Sequence, residues 1–318
     1  MEIVFGAGAF NNQYEFEPEL ESPEKVLKYA FDHGITVIDT SAAYGPSEEI
    51  LGRALAILKE QGVDRKTYSI CSKCCRWETR EFEFSRSAVN RSVERTLSRL
   101  GTTYLDVLYI HDVEFGKPHD IMEAVRAAFE LKQLGKVRAV GVSGLPLDVL
   151  VTAAKLAQKE GTPLDAVLTY CNLTLQNDLL LNFRSAFEAA GVHRVLNASP
   201  LSMSLLRSRP THGFHPASPE LRECANQIGS KLLSHGIELA DVATQYAFAM
   251  WSGPTVIGLR TITEVQAALA NREKGTTMPQ TELWDEIIQE FGEFHNKVWE
   301  ESEPAAIKPL WDLAAKSL

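Results

Sequence analysis

Four side chains in this sequence have the types and positions that proton transfer needs. Asp39 closes the apolar run Ile35-Thr-Val-Ile-Asp39, and Tyr44 stands in the loop that follows. Lys73 closes Tyr68-Ser-Ile-Cys-Ser-Lys73, and His111 closes Leu105-Asp-Val-Leu-Tyr-Ile-His111. A neighbouring ammonium favours a phenolate, so a tyrosine beside a lysine can be drawn toward neutral pH and exchange a proton with a substrate hydroxyl. A buried carboxylate paired with that ammonium keeps it charged and in place. An imidazole nearby can fix the reacting oxygen by a hydrogen bond. Taken singly, each residue has an ordinary duty: Asp39 as a helix cap, Tyr44 as loop packing, Lys73 as a solvated charge, His111 as a satisfied core residue. Together, at the ends of three successive apolar runs, they read as a constellation.

The elements that must position them form one repeated unit, a short β-rich run followed by an amphipathic helical stretch. Runs fall at 3–10, 35–39, 68–73, 105–111, 137–144, 164–171, 192–200 and 255–259. Helices are expected after Ser22-Pro23-Glu24, at 47–61 and 87–100, through Leu134, at 147–160, 178–190 and 240–250, and from Thr263. This count is that of an α/β protein, a (β/α)8 TIM barrel, whose active site sits at the C-terminal ends of the strands. A single domain over 1–318 is expected. Residues 202–236 form an insertion with a helix near 218–234, and 279–318 form a C-terminal helical extension across the barrel. The first run begins within a few residues of Met1, so a shortened or variant start is expected, with that end of the barrel less well sealed. A Rossmann unit is disfavoured, since Gly6-Ala7-Gly8 is followed by Asn11 where a third glycine belongs.

The 318 residues are 45% hydrophobic, enough for a large core, and the 32 basic against 42 acidic residues give a net charge of −10. That balance offers no long-range attraction to nucleic acid or anionic lipid, and no apolar run is long enough to span a membrane. A cytoplasmic monomer or weak homo-oligomer is expected. Five cysteines make no disulfide framework, and the Cys71-x-x-Cys74 pair lies inside a strand, where packing outweighs redox chemistry. His212 and His215 lack carboxylate partners, so no metal is expected.

The segment Asp39-Thr-Ser-Ala-Ala-Tyr44-Gly45-Pro-Ser47-Glu48, with Lys73 and His111, resembles the aldo-keto reductases over essentially the whole chain. His111-Asp-Val-Glu-Phe115, Gly144-Leu-Pro-Leu-Asp148, Leu168-Thr-Tyr-Cys-Asn172 and His215-Pro-Ala-Ser-Pro-Glu-Leu221 resemble its sugar dehydrogenase branch. That branch holds fungal NAD-dependent D-arabinose 1-dehydrogenases and plant L-galactose dehydrogenases. Leu173-Thr-Leu-Gln-Asn177, Asn182-Phe-Arg184 and Asn197-Ala-Ser-Pro-Leu-Ser-Met-Ser-Leu-Leu-Arg207 favour the fungal side.

The resemblance implies oxidation of an aldose at its anomeric carbon to the aldonolactone, with Tyr44 as general base, Lys73 and Asp39 assisting, and His111 positioning the hydroxyl. In the fungal case the product would feed D-erythroascorbate synthesis. D-arabinose, L-galactose, L-fucose and L-xylose stay open as substrates. So do an NADPH-dependent aldehyde or ketone reductase and a non-catalytic nicotinamide-binding subunit.

Carried over position by position, the resemblance implies a cofactor site of Gly8, Ala9, Phe10, Ser143, Asn172, Ser199, Leu201, Met203, Gly258, Arg260, Thr261 and Glu264. Phe10 and Trp77, with Tyr44 and His111, would wall the sugar. Gly144, Leu168 and Ala198 replace residues with which relatives hold the nicotinamide, so beside Ser143 carboxamide recognition is expected to be thinner or to use Asn172. Glu264 would repel a 2′-phosphate and accept from ribose hydroxyls, so NAD is expected over NADP, with Arg260 acting the other way.

Overall fold

The computed structural model describes residues 2–11, 21–78, 81–299 and 304–318. The strands are β1 Ile3–Gly6, β2 Val37–Asp39, β3 Ser69–Cys74, β4 Arg76–Glu78, β5 Glu81–Phe82, β6 Leu105–Ile110, β7 Val137–Gly144, β8 Ala166–Tyr170, β9 Val195–Ala198 and β10 Thr255–Gly258. The helices are α1 Pro23–Asp32, α2 Ser47–Glu60, α3 Arg86–Leu100, α4 Pro118–Gln133, α5 Leu147–Lys159, α6 Leu180–Ala189, α7 Pro219–Ser234, α8 Leu239–Met250, α9 Ile262–Thr277, α10 Thr281–Phe291 and α11 Lys308–Lys316.

Eight parallel strands close in the order β1-β10-β9-β8-β7-β6-β3-β2, and β4 with β5 forms a separate antiparallel hairpin. The expected barrel is therefore present. Its strands read as unbroken apolar runs because both faces are buried. Val4, Val37, Cys71, Tyr109, Leu168, Leu196 and Val256 fill the interior. Their neighbours Ile3, Phe5, Ile38, Ile70, Leu108 and Val167 pack outward against the helices. Tyr109 fits inside because Gly141 faces it: a Cβ there would lie 2.4 Å from the Ala166 carbonyl oxygen and 2.8 Å from the Tyr109 ring.

Local signals explain most helix ends. The Ser85 and Ser218 hydroxyls cap α3 and α7, and Gly101 ends α3 in the left-handed conformation at φ 62°. Ser22 precedes α1 but makes no side-chain cap bond, so Pro23 alone marks that start.

Two departures matter for the site. β1 ends at Gly6 and continues as a 3-10 turn over Ala7–Ala9. The hairpin after β3 carries no alternation long enough to be read from sequence. The eighth barrel helix, α9, which opens over the expected 263–270 stretch, continues to Thr277. The inserted helix forms as α7. The C-terminal segment packs on the barrel's loops: Gln176 donates to the Phe294 and Lys297 carbonyls, and the Trp311 indole donates to the Gly116 carbonyl. No described helix is long and apolar enough to cross a membrane.

Candidate active site

The period-2 geometry of strands brings the four candidate residues together. Val37, Cys71 and Tyr109 point into the barrel. Two residues further on, at the C-terminal rim, Asp39, Lys73 and His111 share that inward face. Register aligns them, with Asp39 opposite Cys71 and Lys73 opposite Tyr109. The Lys73 ammonium donates to Asp39 Oδ1 at 2.5 Å and to the Thr40 carbonyl at 2.9 Å. It lies 4.9 Å from the centre of the Tyr44 ring, which meets the His111 ring edge-on at 5.9 Å. Asp39, Lys73 and His111 are buried, Lys73 being 2% and His111 4% exposed, while Tyr44 is half-buried.

Burial and charge set the protonation states. Burial works against the Lys73 charge, but Asp39 and Tyr44 outweigh it and hold the ammonium above its ordinary range. Burial, with Lys73 and Arg76 as neighbouring cations, keeps the His111 pKa well below that of a free imidazole, so the ring is neutral. Tyr44 corrects the expectation of an easily formed phenolate. Burial raises its pKa above the ordinary phenol value, and the attraction of Lys73 only partly offsets it, since Asp39 and Asp112 oppose. Much of the lysine's charge is already neutralised by its own partner.

One ion pair at this rim lay hidden in the sequence. Arg76, from the hairpin, donates to Asp112 Oδ2 at 2.6 Å, and the same oxygen is 3.6 Å from His111 Nε2. Asp112 is buried and adopts φ 49°, the left-handed region that costs a non-glycine residue energy. The signals were an acid directly after His111 and a basic residue just after Lys73, but only the hairpin brings them face to face.

The proposed cofactor residues fall into two neighbourhoods. A Cβ on Gly8 would touch the Tyr44 ring at 3.4 Å, and one on Gly258 would touch Ala9 at 3.6 Å, so the ends of β1 and β10 adjoin the tetrad. Ser143 is buried at the rim, its hydroxyl 3.5 Å from the Ile110 carbonyl. After β9, Ser199, Ser202, Met203 and Ser204 all have positive φ. Leu201 lies within this strained run, which the Ser199 amide ties to β10 by donating to the Val256 carbonyl. Hydroxyls and amides in such a run, with Arg260 at the next strand end, are a donor set that fits the phosphates of a dinucleotide. No cluster of residues suited to a metal ion occurs among the described residues.

Four of the expected site residues are engaged within the chain itself. Phe10, after the 3-10 turn, is fully buried against Phe5 in the strand–helix layer. Trp77 turns toward α3, with the guanidinium of Arg95 4.4 Å and that of Arg91 5.5 Å from its ring centre. Asn172 spends both amide protons on the Leu145 carbonyl and the Thr169 hydroxyl, which makes it a loop clamp. Glu264 and Thr261 form a capping box: Thr261 accepts from the Glu264 amide, and Glu264 Oε2 accepts from the Arg260 and Thr261 amides. The T-x-x-E spacing announces that box. Glu21 adds a second carboxylate at the same helix end, accepting from the Ile262 amide.

A family sequence model described as "Aldo/keto reductase family" matches residues 2–289. The chain is 48% identical to the D-arabinose 1-dehydrogenase of Saccharomyces cerevisiae over 85% of this chain and 82% of that one. It is 35% identical to the L-galactose dehydrogenase of Arabidopsis thaliana, over 84% and 83%. Among solved structures, an aldo-keto reductase from Bacillus halodurans in its holo form superposes with a TM-score of 0.67, at 22% identity and 95% coverage of both chains. That last likeness is one of fold.

Proposed function

The chain belongs to the aldo/keto reductase family, and on that premise we propose that it oxidises the anomeric carbon of an aldose to the aldonolactone with NAD. D-arabinose is the first candidate, with L-galactose and L-fucose type sugars next. The observation that carries this reading is the tetrad itself: a half-buried phenol beside a buried, charged lysine, against a neutral imidazole. The resemblance to two sugar dehydrogenases supports the substrate class.

In the forward reaction the O1–H proton of the cyclic sugar passes to Tyr44, which must first be deprotonated. His111 holds O1, and Lys73 stabilises the negative charge on the phenolate. When bound, NAD would accept the hydride from C1, so that C1 loses two electrons and O1 becomes the lactone carbonyl oxygen. Burial of Asp39, Lys73 and His111 strengthens the polar contacts among them.

Gly8 and Ala9 would approach the nicotinamide end, Ser199, Leu201 and Met203 the pyrophosphate, and Gly258 and Arg260 the adenosine end. Two carboxylates, Glu21 and Glu264, already occupy the amides at the start of α9. An added 2′-phosphate would meet negative charge there, which supports NAD over NADP. Arg260 favours the second reading, an NADPH-dependent aldehyde reductase, but its guanidinium lies 3.7 Å from Glu264 Oε1, which lessens its pull on a phosphate. We place the enzyme in the cytoplasm, as a monomer or weak homo-oligomer, its lactone product directed to D-erythroascorbate synthesis.

The test is a substrate panel with purified protein. D-arabinose with NAD should give reduced nicotinamide, read by its absorbance, with a higher kcat/KM than with NADP. Turnover confined to NADPH and simple aldehydes would replace this reading with the second one.

A further inference from the structure

Ser41 sits in the turn between β2 and Tyr44 and touches both halves of the proton-handling machinery. Its carbonyl accepts from the Tyr44 amide at 3.1 Å, which fixes the turn that presents the phenol. Its hydroxyl, fully buried, accepts from the Ala43 amide at 3.1 Å and lies 3.1 Å from His111 Nδ1. We infer that Ser41 is a positioning residue that locks His111 in the tautomer with its proton on Nε2, the nitrogen that would donate to the substrate's reacting oxygen.

The inference follows from counting protons. A serine hydroxyl has one proton to give. With the Ala43 amide already donating to Ser41 Oγ, His111 Nδ1 is the acceptor within reach for that proton. When the hydroxyl gives its proton to Nδ1 that nitrogen is bare, and a neutral ring then carries its proton on Nε2. A doubly protonated ring would require the Ser41 hydroxyl to turn its proton elsewhere, and the cations Lys73 and Arg76 also oppose it. On the far side, Asp112 Oδ2 stands 3.6 Å from Nε2, too far to be a hydrogen bond. The Nε2 proton is therefore directed at whatever oxygen enters the mouth. A ring flipped to the other tautomer would present a lone pair there and repel the oxygen it has to hold.

This deepens the dehydrogenase reading, on which its catalytic consequence rests, but the tautomer can be read without any substrate. Imidazole ¹⁵N shifts of the full-length protein separate protonated from bare ring nitrogens, and His111 is assigned by the signal missing from His111→Gln. The expected result is a protonated Nε2 and a bare Nδ1 in the native chain. Ser41→Ala is expected to give a mixture of tautomers. Its kcat for sugar oxidation should fall about fivefold, the scale of one net hydrogen bond, with the KM for NAD unchanged. A native ring protonated on Nδ1 overturns the inference, and so does a Ser41→Ala protein whose tautomer or kcat matches the parent. If the chain proves to oxidise no sugar while the Nε2 tautomer is found, the substrate reading falls and the lock stands.

Discussion

Lys73 approaches within 4.9 Å of the Tyr44 ring centre while its ammonium is bound to Asp39 at 2.5 Å. The lysine is thus held charged by one neighbour and shared with another. The phenol it serves stays harder to ionise than a free tyrosine, because burial outweighs a cation already partly neutralised. The positive charge of an oxidised nicotinamide would act in the same direction as Lys73.

Oxidation should therefore favour alkaline solution. Tyr44 must lose its proton before it can take one from the sugar, and its pKa is raised, so the reactive fraction grows with pH. Below that pKa the growth is roughly tenfold per pH unit at most. kcat/KM for the sugar is expected to climb from about pH 7 to about pH 10, the ordinary range for a phenol. A profile that is flat or falling over that range contradicts the assignment of Tyr44 as base.

Breaking the Lys73–Asp39 pair should cost both stability and rate. Lys73→Met leaves the Asp39 carboxylate buried without its counter-charge, a loss of about 3–5 kcal/mol in urea unfolding. The same change removes the cation that assists Tyr44, and kcat should fall by about a hundred- to ten-thousandfold. A variant as stable as the parent would show that the pair is solvated in solution.

Cofactor choice should move with the acids at the start of α9. Glu21→Gln with Glu264→Gln keeps hydrogen-bonding side chains at that helix end and removes two negative charges. NADPH binding, followed by quenching of protein fluorescence, should tighten about tenfold or more, on the scale of one or two surface charge contacts. NADH binding should change little. Equal effects on both nucleotides would exclude a role for these carboxylates in discrimination.

Gly144 should resist substitution. A Cβ there would lie 2.3 Å from Glu114 Oε2, and the other oxygen of that carboxylate accepts from the Leu145 amide. Gly144→Ala must displace Glu114 from a buried position, at about 1–3 kcal/mol in urea unfolding. Unchanged stability would mean that Glu114 moves aside freely.

The sequence made the barrel and the tetrad legible for one shared reason. Strand alternation is strict, so a residue two places beyond Cys71 or Tyr109 must face the same way, and Lys73 and His111 could be placed by counting. Side chains in the connecting turns obeyed no such rule. Phe10 follows a 3-10 turn that ends β1 early, and Trp77 lies in a hairpin whose strands are too short to leave a pattern. Asn172 and Glu264 bond within the chain, the latter through a T-x-x-E cap visible in the sequence. The Arg76–Asp112 pair required the hairpin and the left-handed Asp112 together, neither of which a linear reading supplies.

The central claim is that Tyr44 takes the proton as sugar is oxidised. Steady-state oxidation of D-arabinose with NAD, comparing the native chain with Tyr44→Phe, tests it most directly. The variant keeps the ring that packs against Gly8 and His111 and removes only the phenolic oxygen. A fall in kcat of at least about a hundredfold, with NAD binding intact, is the predicted result. A Tyr44→Phe enzyme that turns over D-arabinose at the native rate would contradict it.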